Sequence, residues 1–319
     1  MLYYTLQQII NALSIGSLYA LMAVGLAMVF GILRLINFAH GDMMMIAAYI
    51  AAFSLAAKLP FPVAVVVMLI GTVIVGMVTE RVAYRPLRGA PDVALLLSSF
   101  GVGQILENGT LLVTRLMQKP IQIAFPAPDV LSGAISLGPL TVSRLNIVSL
   151  VAGIVILVAL TLFVTRTTLG LSMRASAEDL IAARLMGIKI NRVVMTAFQI
   201  SAALAAVAGL LFAVQAGQIN PYMGFTPVLK AFIAAVIGGF GSIAGAVLGG
   251  YVLGALEVLL TALPGLGDLL PPGPLADFFK TFLPSSLTSY RDAFVFVALI
   301  LMLLFRPNGL LGKGENEER

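Results

Sequence analysis

Eight long apolar stretches, each followed by a short polar connection, leave this chain few ways to fold. They run over Met1–Phe30, Met43–Ala57, Phe61–Thr79, Val93–Met117, Leu145–Val164, Val193–Val214, Lys230–Leu260 and Ala293–Phe305. A bilayer core about 30 Å thick asks for about 20 apolar residues in a helix. Hydrophobic residues make up 60% of the 319 and charged ones only 10%, against about a quarter charged in an ordinary globular domain. The expectation is an all-α polytopic membrane protein with about 8–10 transmembrane helices, forming one membrane domain over residues 1–319. Its solvent is the lipid bilayer. Without cysteine and with one histidine, disulfides and a His/Cys zinc site are excluded. No metal and no cofactor is expected. The net charge of +5 belongs to the sides of the membrane and does not point to nucleic acid. The first residues lack the basic start of a cleaved signal peptide and continue as one span.

Basic residues set the orientation. Placing Arg34, the loops 80–92 and 165–192 and the C-terminus inside collects 12 of the 19 lysines and arginines there. The N-terminus then lies outside and the C-terminus in the cytoplasm. A single crossing by Lys230–Leu260 would put "RPNG" on the wrong face, so that stretch is expected to enter and return. Its break falls at the glycines of Gly238–Ser242, after a half-helix of about 15 Å. A second interruption is "RLINFAHGD", Arg34 to Asp42. Irregular backbone at membrane depth survives only inside protein or along a water-lined cavity. Broken segments in corresponding places of two halves mark a transporter's binding site. Asn37, His40, Asp42, Gly238, Gly239 and Ser242 are therefore translocation-pathway candidates, joined by mid-span Glu107 and Asn108, since intramembrane ionisable groups are expensive. A structural hydrogen bond to a neighbouring helix is the other reading of Glu107 and Asn108. Asp42 has a second reading, as the cap of a helix beginning at Met43, with His40 tying down irregular backbone. Glu257, near the end of its run, reads as an interfacial carboxylate. Gly241, Gly245 and Gly249, and Gly250 with Gly254, step by four as in close helix packing.

The loop 165–192 carries "RASAEDLIAARLMGI" at Arg174–Ile188. Ser176 and Asp179 form an [ST]-x-x-[DE] helix start. Gly187 suits the left-handed position that ends a helix. Ile181, Leu185 and Ile188, with Leu180, make an apolar stripe, while Arg174, Glu178, Arg184 and Lys189 stay wet. The result is a short amphipathic helix held at a membrane face, a shape for docking a soluble partner. Contact of Arg166, Arg174, Arg184, Lys189 and Arg192 with anionic lipid is the other reading. No G-x-x-x-x-G-K-[ST] occurs, so the chain holds no P-loop of its own and no catalytic residue is expected.

Several stretches together resemble one family: Asn11–Ala51, Arg174–Leu211, Ala231–Glu257 and Arg291–Gly312. They are similar to the permeases of high-affinity branched-chain amino acid ABC importers, most of all the shorter of the two membrane subunits. The resemblance implies a bacterial inner-membrane heterodimer with a second homologous permease. It also implies two cytoplasmic ABC ATPases and a periplasmic substrate-binding protein. On that reading Arg174, Ser176, Glu178, Asp179, Arg184 and Gly187 belong to the ATPase-coupling loop. Permeases for urea, amides or other amino acids remain alternatives. So does an ion-coupled secondary transporter working through His40, Asp42 and Glu107, or an intramembrane enzyme built on His40 and Asp42.

Overall fold

A computed structural model of the chain describes residues 2–137, 140–269, 273–274, 277 and 290–312. Helices carry the fold: α1 (Leu2–Leu33), α2 (His40–Ala56), α3 (Phe61–Thr79), α4 (Asp92–Leu116) and α5 (Arg144–Arg166). After these come α6 (Thr168–Glu178), α7 (Leu180–Leu185), α8 (Ile190–Ala216), α9 (Phe225–Gly238), α10 (Ile243–Leu269) and α11 (Arg291–Phe305). Four short strands complete it: β1 (Ile123–Ala124), β2 (Ala134–Leu137), β3 (Leu140–Ser143) and β4 (Gln218–Ile219). β2 and β3 pair antiparallel, and β1 pairs with β4, tying the connection after α4 to the one after α8. The sequence between the runs ending at Leu260 and beginning at Ala293 is rich in proline and reads as a connection over 261–290. To Leu269 it instead continues α10, and most of the rest lies outside the described residues, as does the charged tail from 313 onward.

Among the described residues, five helices are long and apolar enough to cross a membrane, and α2 and α9 are shorter apolar helices. α1 is the axis of the fold. It packs along α10, α8, α9 and α5, and its residues from Leu18 to Val29 are almost all buried. α3 and α5 instead turn Val63, Ile70, Ile74, Val151, Val155 and Val158 outward, a side-chain set that suits lipid.

Both expected breaks are present. α1 ends at Leu33, Arg34 takes a left-handed φ of 54°, and the chain is irregular until α2 begins. α2 starts at His40, three residues before the expected Met43, with Ala39 at the cap position and no side-chain cap. Asp42 thus sits inside the first turn, where a carboxylate favours the helix dipole without capping it. At the second break α9 ends at Gly238 and α10 returns antiparallel. The glycine ladder explains how closely. A Cβ at Gly245 or Gly249 would overlap the carbonyl oxygens of Gly238 and Ala234 on α9, and one at Gly250 or Gly254 would strike the backbone of Ala20 and Gly16 on α1. One stripe of α10 therefore fits α9 and the other fits α1, all within one subunit. The turn is finished by Ser242, whose hydroxyl accepts from Gly245 N at 3.0 Å. The C-terminal "RPNGLLG" closes the other side: Leu310 N and Leu311 N donate to the orphan carbonyls of Ile237 and Gly238 at 2.8 and 2.9 Å.

The hairpin also overturns the reading of Glu257 as interfacial. Glu257 is 2% exposed. Lys230 Nζ lies 2.5 Å from its Oε1 and 3.0 Å from Asp292 Oδ1, and Tyr19 donates its hydroxyl to Glu257 Oε2 at 2.6 Å. The four groups join α9, α10, α11 and α1. A hairpin centred near residue 241 sets position 230 opposite 253, one helical turn from 257. The pairing therefore follows from the return itself.

Candidate functional site: a cavity at two helix starts and an exposed loop helix

α2 and α9 begin beside each other. A Cβ on Gly41 would overlap the carbonyl oxygen of Gly224, and one on Gly224 would overlap Gly41 in return. Only paired glycines let two helix N-termini come this close. A cavity of about 70 Å³ opens at this junction, walled by Phe38, Asp42, Ser99, Phe100, Gly103, Gln104, Glu107 and Phe225. Asp42 is 6% exposed and its carboxylate fills the space that a side chain at Gly103 would need. Glu107, across the cavity on α4, accepts from Gln104 Nε2 at 3.0 Å. The Phe38 and Phe100 rings stack with centroids 4.9 Å apart. Phe100 is 42% and Phe225 51% exposed, so this wall is open to one side. A mid-helix strip of Gln104, Glu107 and Asn108 on α4 is expensive against hydrocarbon, at roughly 2.5–3.5 kcal/mol for a charge at helix centre.

The pathway candidates are thus divided. Asp42 and Glu107 meet in the cavity, and Asn108 lies beside it, its Nδ2 bonded to Gln104 O at 2.8 Å along the same helix. His40 does not reach it. That ring is buried between α1 and α8, with Nδ1 3.1 Å from Ser201 Oγ and its edge against Gly25. Asn37 is also buried and accepts from the Tyr84 hydroxyl at 2.7 Å. Gly238, Gly239 and Ser242 lie at the α9–α10 turn against the C-terminal segment, away from the cavity. Phe38, Phe100 and Phe225 went unnoticed in the sequence, where an aromatic inside an apolar run carries no mark.

Tyr84 belongs to a π-helical turn, Glu80–Tyr84, that continues α3. Such turns concentrate at functional places. At its start Glu80, 1% exposed, pairs with Arg88, whose guanidinium also donates to Asn191 in the first turn of α8. Burial draws the Arg88 guanidinium below its ordinary range, and the carboxylate of Glu80 opposes that.

The loop 165–192 folds as two helices. Thr167 caps α6, accepting from Gly170 N at 3.0 Å. Ser176 lies near the end of α6, buried, and does not start a helix. The residue that caps α7 is Asp179, which accepts from Ile181 N and Ala182 N at 2.7 and 3.0 Å. Competition between two good caps three residues apart is settled by the break at Asp179, whose backbone is extended. Gly187 ends α7 as expected, with φ at 83°. Its N–H reaches Arg184 O, and that of Ile188 reaches Ala183 O, both at 3.0 Å, the paired bonds of a Schellman end. The apolar stripe splits. Leu180 and Ile188 pack inward, while Ile181, Leu185 and Met186 are 75%, 82% and 83% exposed. Arg174, Glu178, Arg184 and Lys189 are exposed beside them. A cleft of about 400 Å³ next to α7 is lined by Arg184, Ile188, Lys189, Ile190, Asn191 and Arg192.

A largely helical membrane body, broken twice, with a polar cavity at one break and a bare apolar helix on a basic loop, has the make-up of a membrane permease. Residues 8–305 match the family described as branched-chain amino acid transport system, permease component, and the chain belongs to that family. It is 40% identical over 326 aligned positions to the high-affinity branched-chain amino acid transport system permease protein BraD of Pseudomonas aeruginosa, covering 99% of each chain. To the permease protein LivH of Escherichia coli strain K12 it is 36% identical, covering 99% of this chain and 98% of the other. A probable branched-chain amino acid transport permease protein LivH from Methanocaldococcus jannaschii is 27% identical over 95% of this chain.

Proposed function

We propose that this chain is a membrane-spanning permease subunit of a binding-protein-dependent ABC importer that carries branched-chain amino acids across a bacterial inner membrane. Ile181, Leu185 and Met186 carry the reading. Ile181 and Leu185 stand exposed on a helix of six residues and Met186 at its C-terminal cap, the helix being fixed at both ends by Asp179 and Gly187. A short rigid helix with an apolar tip beside a basic cleft suits a groove on a soluble partner better than it suits water. In a chain without a P-loop, that partner is the ATPase. The loop 165–192 with its exposed α7 then faces the cytoplasm, with the C-terminus, and the N-terminus faces the periplasm. The cavity at Asp42 and Glu107 is the translocation route. Its open side, with the polar strip of α4, faces a second homologous permease, and a periplasmic binding protein delivers the amino acid. The names of BraD and LivH support the substrate class.

The test is to purify the tagged chain with its co-expressed neighbours and compare wild type with I181E/L185E. The variant is expected to keep its thermal stability, because both side chains are exposed, and to lose the ATPase from the complex. Undiminished ATPase retention would refute the docking role of α7. Leucine uptake that survives ATP depletion and collapses with an uncoupler would replace the reading with ion-coupled transport.

A further inference from the structure

We infer that the cavity between α2, α4 and α9 is a half-site for a zwitterionic, apolar α-amino acid, with Asp42 and Glu107 taking the ammonium group. This rests on the permease reading above and gives that route a recognition chemistry.

Three observations converge on it. The first is Asp42. Its carboxylate is turned into the cavity at 6% exposure, held by its own backbone N–H, and among the described residues no side chain donates to it. A buried carboxylate without a cationic partner is costly, and a second one on Glu107 across the same recess adds repulsion. A cation between them relieves both. Among the described residues no lysine, arginine or histidine lines the cavity, so a cation from outside the chain fits there.

The second is size. About 70 Å³ corresponds to roughly two water molecules at about 30 Å³ each. That accepts an ammonium group and excludes a whole leucine. The remainder of a substrate must lie over the open wall. There Phe38 and Phe100 are stacked and Phe225 is half exposed, a surface for a branched aliphatic side chain. The same ring faces attract an ammonium at short range.

The third is the helix start. α9 has no acidic residue in its first turn, and its first residue, Phe225, is in the cavity wall. The N–H groups of Phe225 and Thr226, ahead of Pro227, which has none, favour a carboxylate at that end. Ammonium at Asp42 and Glu107, carboxylate at the start of α9 and side chain against the phenylalanines account for all parts of an apolar amino acid. The site is incomplete without the facing subunit, which would cover the exposed wall.

The test uses the whole importer in proteoliposomes, driven by leucine-loaded binding protein, with leucine uptake and ATP hydrolysis measured together. D42N is expected to cut leucine uptake about tenfold or more, as for loss of one charge-assisted hydrogen bond. ATP hydrolysis stimulated by the loaded binding protein should persist, so the uptake-to-ATP ratio falls. E107Q lowers the ratio less, and D42E recovers part of it. The inference is overturned by an unchanged ratio in both D42N and E107Q. It is equally overturned if uptake and stimulated hydrolysis fall in parallel in both, which is the mark of a structural role. Sensitivity of wild-type uptake to an uncoupler would make the pair a proton site and overturn it too. Failure of the permease reading shows separately, as absence of leucine uptake by the wild-type assembly.

Discussion

Replacing Lys230 by methionine tests whether the buried charge cluster holds the α9–α10 hairpin to the rest of the molecule. The substitution keeps most of the side chain's volume and removes only the ammonium, leaving Glu257 in the interior. Breaking a buried pair from one side costs about 3–5 kcal/mol, because the surviving charge stays desolvated. Two neighbours soften the loss here. The Tyr19 hydroxyl still donates to Glu257 Oε2, and Arg291 Nε stands 3.8 Å from Oε1. The expected cost is therefore at the low end, about 3 kcal/mol. Asp292 is half exposed, and losing its share of the contact should matter little. In K230M/E257Q no buried charge is left at the pair, and Tyr19 retains an acceptor. The double variant should lie within about 1 kcal/mol of wild type, giving a coupling energy of at least about 2 kcal/mol in the four-member cycle, larger by whatever E257Q costs alone. Denaturant-induced unfolding in detergent micelles, followed by helix content, reads all four proteins. The reasoning fails if K230M costs less than about 1 kcal/mol, or if the double variant is as unstable as the two single changes added together.

Two further outcomes follow from backbone geometry. Lys58 and Gln118 hold the left-handed position after α2 and α4, with φ of 61° and 54°. Lys58→Gly and Gln118→Gly should each raise stability by about 0.5–1 kcal/mol, read as a higher unfolding midpoint, and a fall in both would contradict the assignment of those ends. Gly41→Ala places a methyl group on the Gly224 carbonyl and against Val228. Such overpacking costs about 1–3 kcal/mol, so the variant should unfold earlier and the start of α9 should exchange amide protons faster, whereas wild-type behaviour would mean that the two helix starts are not in contact.

What could be read from the sequence was set by covalent patterns, and what could not was set by contacts across the fold. Run lengths and the placement of arginines were enough for the membrane class and for the return of Lys230–Leu260, because each depends on residues near one another in the chain. Gly187 was legible for the same reason, since a Schellman end is local. Ser176 misled because its spacing to Asp179 satisfies a cap rule that Asp179 satisfies better on its own. The pathway residues were only half legible. Asn37, His40 and Asp42 occupy one short segment, yet they point to the Tyr84 hydroxyl, to Ser201 and into the cavity. Only the partners on the π-turn after α3, on α8 and on α4 decide which of the three reaches the cavity. The Lys230–Glu257 pair was within reach, because the expected hairpin already implied it.

Where α9, α10 and the C-terminal segment meet, main chain lies directly on main chain, with glycines at 238, 239, 245, 249, 309 and 312. No side chain is interposed there whose rotamer could change to absorb a displacement. These three pieces must travel as a single slab. The interruption at 239–242, which in a transporter invites comparison with a hinge, is on this geometry a weld. Gly250 and Gly254 lay the same slab onto the backbone of α1, so any rocking that opens the protein has to be sought where side chains, and not glycines, separate the helices.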